Sequence, residues 1–276
     1  MGNAVRAEFR KIFTTKMWWA LLIPAVTVAL LFNWGFSAVQ KGAEDNFGVG
    51  INIPIALLSL GGSFTFTSIF AALYGAMSIS GEFRHKTIGT TYLTSSSRGA
   101  VLGAKMIAYV AMGLIYGVLT LVFATLGALA GGGSDALPSG GTWLLISLIG
   151  IVVITLWTLL GVGFGGLISN QIAAVVVLLV YTVIGETVLA ELLRGMKLTS
   201  VPHYLPAASA SDAVIKFALD RFLGTLAVSA NTQTQIESVF NAIGLPQWWV
   251  GGLVFIAYAS VIALGGWAIS QRRDIT

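Results

Sequence analysis

The sequence is notable first for what it has little of. Its 276 residues include no cysteine, two histidines and eleven acidic residues. Without cysteine there is no disulfide framework, thiolate nucleophile or thiolate metal site. Two histidines, His85 and His203, leave little from which to build a histidine zinc centre. Charged residues make up 9% of the chain, against about 25% in a soluble domain. The hydrophobic share is 56% and the mean hydropathy +0.87. A chain of this size with so few polar side chains cannot cover a water-facing surface. The 33 glycines follow no three-residue repeat, which excludes collagen, and the abundant aliphatic residues exclude disorder. The chain is an integral membrane protein. Its net charge of +4 then reflects basic residues held at cytoplasmic edges rather than a nucleic-acid partner.

Catalytic patterns are missing as well. No lysine follows a glycine, so the Gly-Lys-Ser/Thr step that cradles phosphate is absent. There is no Gly-x-Ser-x-Gly elbow and no His-Glu-x-x-His. Paired carboxylates for an intramembrane proton relay or aspartyl protease are absent too. Glu186 is the one acid inside a plausible span, about 22 Å along it at 1.5 Å per residue. That depth favours an ordinary interfacial carboxylate over a substrate contact. The chain is not expected to be an enzyme, to bind a metal or to hold a cofactor of its own.

Charge-free runs set the spans, because a helix needs about 20 residues to cross the hydrocarbon. They predict helices over 17–39, 53–80, 106–130, 143–168, 172–190 and 248–270. The second run is long for one straight crossing, with Gly61-Gly62 as a place for a break or tilt. Ser169-Asn170-Gln171, the sole polar cluster between Asp135 and Glu186, predicts a tight hairpin. Arg6, Arg10, Lys11 and Lys16 precede the first span, Arg84, Lys86, Arg98 and Lys105 follow the second, and Arg272-Arg273 follow the last. The positive-inside rule then puts both termini in the cytoplasm and residues 191–247 outside.

Two further helices are predicted off the membrane axis. Over 4–16, Val5, Phe9, Ile12 and Phe13 recur at helical spacing opposite Arg6, Arg10 and Lys11, the pattern of an interfacial helix. In the outer segment Ser209 and Asp212 resemble a capping box before Ile215, Leu219, Phe222, Leu223 and Leu226 on one face. The expected class is therefore all-α integral membrane, with six transmembrane helices, an N-terminal interfacial helix and a helical extracellular insertion before the last span.

The cytoplasmic connection over 81–105 carries the most specific pattern. Glu82, then Gly89-Thr90, Leu93, Ser97-Arg98 and Gly103-x-Lys105 follow one another in order, and Glu8-Phe9-Arg10-Lys11 gives an acid-x-x-Lys pattern in the N-terminal helix. In this order and topology the whole chain resembles the permease subunits of ABC-2-type (exporter-type) ABC transporters. Ser95-Ser96 stands where many members have a proline.

The resemblance implies that the connection is a coupling loop gripped by a separate ATPase subunit, present in two copies, which carries ATP and Mg. It implies contacts through Glu82, Phe83, Arg84, His85, Lys86, Thr87, Ile88, Gly89, Thr90, Tyr92, Leu93 and Arg98, and a plasma (inner) membrane location. Six spans have too little wall to enclose a route, so a second permease copy or a related permease should pair with the chain. Gly113-x-x-x-Gly117 and Gly161-x-x-x-Gly165 suit close helix contact, either in that pairing or within one chain. Phe66, Phe70, Tyr74, Trp157, Phe164 and Glu186 are candidates to line a path for a hydrophobic or amphipathic cargo such as a drug, lipid or lipopeptide. A membrane scaffold or intramembrane enzyme is the contrasting reading, and a secondary transporter the third. Neither has a dedicated feature in the sequence, and a secondary transporter would need ionisable groups at the midplane.

Overall fold

A computed structural model describes residues 2–47, 55–87, 89, 97–225, 230–239 and 244–272. Its helices are α1 (Gly2–Thr14), α2 (Met17–Phe47), α3 (Ile55–Arg84), α4 (Arg98–Gly132), α5 (Gly140–Leu167), α6 (Gln171–Gly195), α7 (Pro206–Thr225), α8 (Ala230–Val239) and α9 (Trp248–Arg272). Six of them, α2 to α6 and α9, are long and apolar enough to cross a membrane. The described residues contain no strand.

Helix ends follow local chemistry. Ser97, in extended conformation, accepts a hydrogen bond from the Ala100 amide and starts α4 at Arg98. Gly133, at φ 76°, closes α4 by donating its amide to Leu129 at 2.9 Å. Asn170 Oδ1 accepts from the amides of Ile172 and Ala173, which caps α6 just after the α5–α6 hairpin. At the end of α3, Thr87 N–H reaches Glu82 O and Lys86 N–H reaches Phe83 O, the paired bonds of a Schellman turn. The left-handed position of that turn is filled by Lys86 at φ 55° rather than by glycine. α6 contains one π turn, Tyr181–Gly185.

α3 and α5 form the buried centre. α2 and α4 pack together on one flank, with α2 also against α3 and α4 also against α5. α9 lies along α5, while α6 touches α3 and leaves most of its surface outward. α7 packs on α3 and α9, burying Leu219, Phe222 and Leu223 against Leu58 and Leu245, so it caps the bundle. α3 shows no break at Gly61-Gly62 and runs through as one helix. Gly61 makes room for Val214 of α7 there, and Gly62 for the Phe32 ring.

Small residues let the central backbones touch. A Cβ on Gly161 would stand 2.1 Å from Ala72 O, and one on Gly165 2.1 Å from Ala76 O. Gly113 and Gly117 meet the Thr155 and Ile151 backbone at 2.8 and 2.9 Å on the same measure. Both glycine pairs are therefore spent inside the chain, joining α3 to α5 and α4 to α5. Gly161→Ala is expected to lower stability by about 1–3 kcal/mol through overpacking. Gly252→Ala, which meets nothing within 4 Å, should be silent. Melting of the two purified variants in detergent checks this.

A polar knot also crosses the apolar interior. Asn33, fully buried in α2, donates to Ser63 Oγ at 2.7 Å and Ala29 O at 2.8 Å, and accepts from Ser59 Oγ at 2.8 Å. Its amide is satisfied on both sides, which is the condition for holding such a group in hydrocarbon.

Candidate functional site

Four residues of the family pattern, Glu8, Lys11, Glu82 and Lys105, come together at one end of the bundle. α1 crosses the base of α4, turning Glu8 and Lys11 toward the last turn of α3 and the second turn of α4. Lys105 Nζ donates to Glu8 Oε2 at 2.6 Å and to Glu82 Oε1 at 3.0 Å. Lys11 Nζ donates to Glu8 Oε1 and to the same Glu82 Oε1, each at 2.9 Å. The four charges alternate in sign and sum to zero. The side chains of Lys105 and Glu8 are almost wholly buried, whereas Lys11 is 42% exposed. Such a cluster persists in a low-dielectric setting because each ion faces two of opposite sign. It fastens the N-terminal helix to the two helices that flank the 81–105 connection.

Two boundaries differ here from the sequence expectation. α3 continues to Arg84 and α4 begins at Arg98, so both ends of the expected loop are helical. The span was expected to open after Lys105 because a lone ammonium is costly inside a helix bundle. Pairing with Glu8 and Glu82 removes that cost. Glu82 accordingly faces inward to the cluster.

The other described coupling residues are spread around this stem. Phe83 and Arg84 form the end of α3, and exposed His85, Lys86 and Thr87 make its closing turn. Arg84 Nη1 donates to Gln171 Oε1 at 3.3 Å, and Arg98 Nη1 donates to Gln271 O at 3.1 Å near the end of α9. Gly89 is half-buried. Ile88, Thr90, Tyr92 and Leu93 lie outside the described residues. Sequence reasoning predicts the hairpin as a tight turn and gives it no share in this site. Phe83 and Arg84 in fact line a recess of about 460 Å³ with Ser169, Asn170, Gln171 and Ile172. Spacing could not reveal this, since the partners are nearly ninety positions apart.

Among the described residues, those expected along a cargo path have separate surroundings. Phe66 and Phe70 pair at 5.5 Å, with Phe66 exposed. Trp157 is buried against Phe255 of α9, and Phe164 packs on the core. Tyr74 is buried between Tyr109 and Tyr116. Glu186 is buried in the described chain and caps α7 by accepting from the amides of Ala207 and Ala208. A carboxylate at a helix N-terminus is favoured by the free amides and the helix dipole. The capping box read at Ser209 and Asp212 is thereby displaced: α7 starts at Pro206, and Ser209 Oγ donates to Pro206 O.

Asp212 instead meets His203, with Nδ1 and Oδ2 3.0 Å apart. Burial pushes the Asp212 carboxyl up to about 6, against the lowering pull of His203. A folded-state value above the unfolded one means that the folded chain holds the extra proton. Stability from this group is present at about pH 4 and falls as pH rises to about 6. Asp212→Asn is expected to flatten that segment of a melting-temperature profile against pH. A profile with the same slope in both proteins would show that Asp212 does not carry it.

Comparison with protein families matches the chain over residues 4–185 to the family described as ABC-2 family transporter protein. A search of curated proteins finds no match. The matched segment covers well over half of the chain and includes all four charges of the cluster, the hairpin and Glu82–Lys105. The chain belongs to the ABC-2 transporter family: it is a multi-pass membrane permease of an ABC transporter. Membership implies pairing with an ABC ATPase subunit, the family's membrane component being normally not catalytic itself.

Proposed function

We propose that this permease serves an ATP-driven exporter, moving a hydrophobic or amphipathic compound (a drug, lipid or lipopeptide) out of the cytoplasm or inner leaflet. ATP and Mg are held by two copies of a separate ATPase subunit, and a second permease, identical or related, completes the route. The complex sits in the plasma (inner) membrane with both termini and the 81–105 connection in the cytoplasm, and 191–247 outside.

The observation that carries this reading is the stem of that connection. Glu82 and Lys105 belong to one ion cluster with α1, Arg84 leans on the α5–α6 hairpin, and Arg98 leans on α9. A push on the connection therefore reaches several spans at once, as a power stroke delivered by an ATPase requires. The apolar and aromatic composition of the spans supports an amphipathic cargo over a polysaccharide or a simple ion. α6, with Ile172, Val176, Val183, Ile184 and Leu192 facing outward, offers the largest unpaired helix face for the second permease.

The test is the ATPase activity of the complex reconstituted in proteoliposomes across a panel of compounds. Hydrophobic or amphipathic compounds are expected to raise turnover at least severalfold, and the permease alone should show none. Stimulation confined to sugars or inorganic ions, or turnover by the permease without its ATPase, would defeat the proposal.

A further inference from the structure

Above the ion cluster lies a cavity of about 410 Å³, within the range of small-molecule sites. Its walls come from α1, α3 and α4, the start of α2 and the first residue of α6. Exposed Thr14, Thr15 and His85 stand at its mouth. From there the α3 face bearing Glu82, Ser78 and Tyr74 runs inward, one residue per helical turn, about 12 Å in all.

Glu82 Oε2 and Ser78 Oγ are buried polar atoms with no hydrogen-bond partner among the described residues, and the Tyr74 hydroxyl one turn further in pairs with that of Tyr109 while its oxygen keeps acceptor capacity. Ser78 and Tyr74 are themselves more than nine-tenths buried. Two such unpaired atoms one helical turn apart on one cavity wall are rare, since buried polar groups in native proteins are nearly always satisfied. Their common capacity is to accept a hydrogen bond.

The two carboxylates and two ammoniums that line the cavity sum to zero, and their pairing decides what is left over. Lys105 and Lys11 are committed to carboxylates, and Glu8 uses both of its oxygens. What remains is one carboxylate oxygen, Glu82 Oε2, with two hydroxyls beyond it and the Tyr74 and Tyr109 rings, 5.0 Å apart, at the far end. A free carboxylate oxygen beside aromatic faces suits a cation with N–H donors. Met17 and Met77 add adaptable apolar surface for a tail.

We infer that this cavity is a binding site for an amphiphile with an ammonium head, which enters from the side of the 81–105 connection and donates to Glu82 Oε2, Ser78 Oγ and the Tyr74 hydroxyl. This deepens the exporter reading by naming a cargo class, and rests on it for the direction of movement. Binding itself needs neither ATP nor a second subunit.

The test uses the purified chain in phosphatidylcholine nanodiscs and radiolabelled dodecylamine, counting the component displaced by excess unlabelled amine. Saturable binding is expected, uncompeted by dodecanoate or dodecanol, which share its tail but lack an ammonium. Tyr74→Phe with Ser78→Ala, which keeps the rings and the backbone, should weaken binding about tenfold or more, and Glu82→Gln should weaken it further. Should Glu82→Gln fail to fold, the double variant still decides.

Competition by the acid or the alcohol as strong as by the amine, or a double variant that binds like the parent, would overturn the site. Nanodiscs of phosphatidylethanolamine separate two sources of the same head group. Loss of dodecylamine binding there assigns the site to the lipid's ammonium, and retained binding assigns it to a free amphiphile. A chain that binds the amine while its complex fails in the turnover assay keeps the site and loses the exporter reading. A complex stimulated by neutral amphiphiles, with no saturable amine binding, does the reverse.

Discussion

Lys105→Ala is expected to destabilise the folded permease by about 3–5 kcal/mol, the usual loss when one partner of a buried ion pair is removed. Lys105 Nζ is the buried cation between Glu8 and Glu82. Without it two carboxylates share the single ammonium of Lys11, which is partly solvated and so contributes less per contact. Lys11→Ala should therefore cost clearly less. The decisive comparison is charge-balanced. Lys105→Gln with Glu82→Gln leaves one acid and one base, Glu8 and Lys11, still 2.9 Å apart. This double variant should melt well above the temperature that the two single losses would give if they simply added. Strict additivity would mean that the four charges do not act as one unit, and that α1 is held by something else.

The cluster also shows where reading the chain in one dimension reaches its end. Six spans are legible because an unpaired charge inside hydrocarbon is costly, so charge-free runs delimit crossings. The hairpin at Ser169-Asn170-Gln171 is legible for the same reason, and Asn170 does the capping that its side chain suits. The rule misplaces the start of α4 because Lys105 has partners 97 and 23 positions away. No local window contains them. Glu186 is a second case: its two amide donors lie 21 and 22 residues on, across a turn of irregular spacing. An acid near a span end looks interfacial until the helix it caps is in place. The glycine pairs are a third case. Spacing shows that a helix can be approached there, and the neighbour is set by topology, which puts Gly113 and Gly117 of α4 against α5 and Gly161 and Gly165 of α5 against α3.

Arg84→Glu and Tyr92→Ala, made separately, are each expected to lower transport or ATPase association at least tenfold while the permease still inserts and folds. A force-transmitting contact must be accessible, rigidly joined to spans and able to hold a partner by shape and charge. Arg84 meets these conditions. It is exposed at the last residue of α3, two positions beyond the partly buried Glu82, and lines the recess with Phe83 and the hairpin. An apolar anchor in a recess with a charged rim is the pattern of a protein–protein hot spot. Reversing a rim charge slows association and disfavours the correct partner. Tyr92 lies outside the described residues, and its place in the expectation comes from the sequence, as an aromatic residue that a merely solvated connection would not need. Asp135→Asn, in the connection between α4 and α5, belongs to the opposite side in the proposed topology and should be nearly silent. Full transport and full ATPase binding in both Arg84→Glu and Tyr92→Ala would remove the 81–105 connection from the coupling path. It would leave the ion cluster beneath as an element of stability alone.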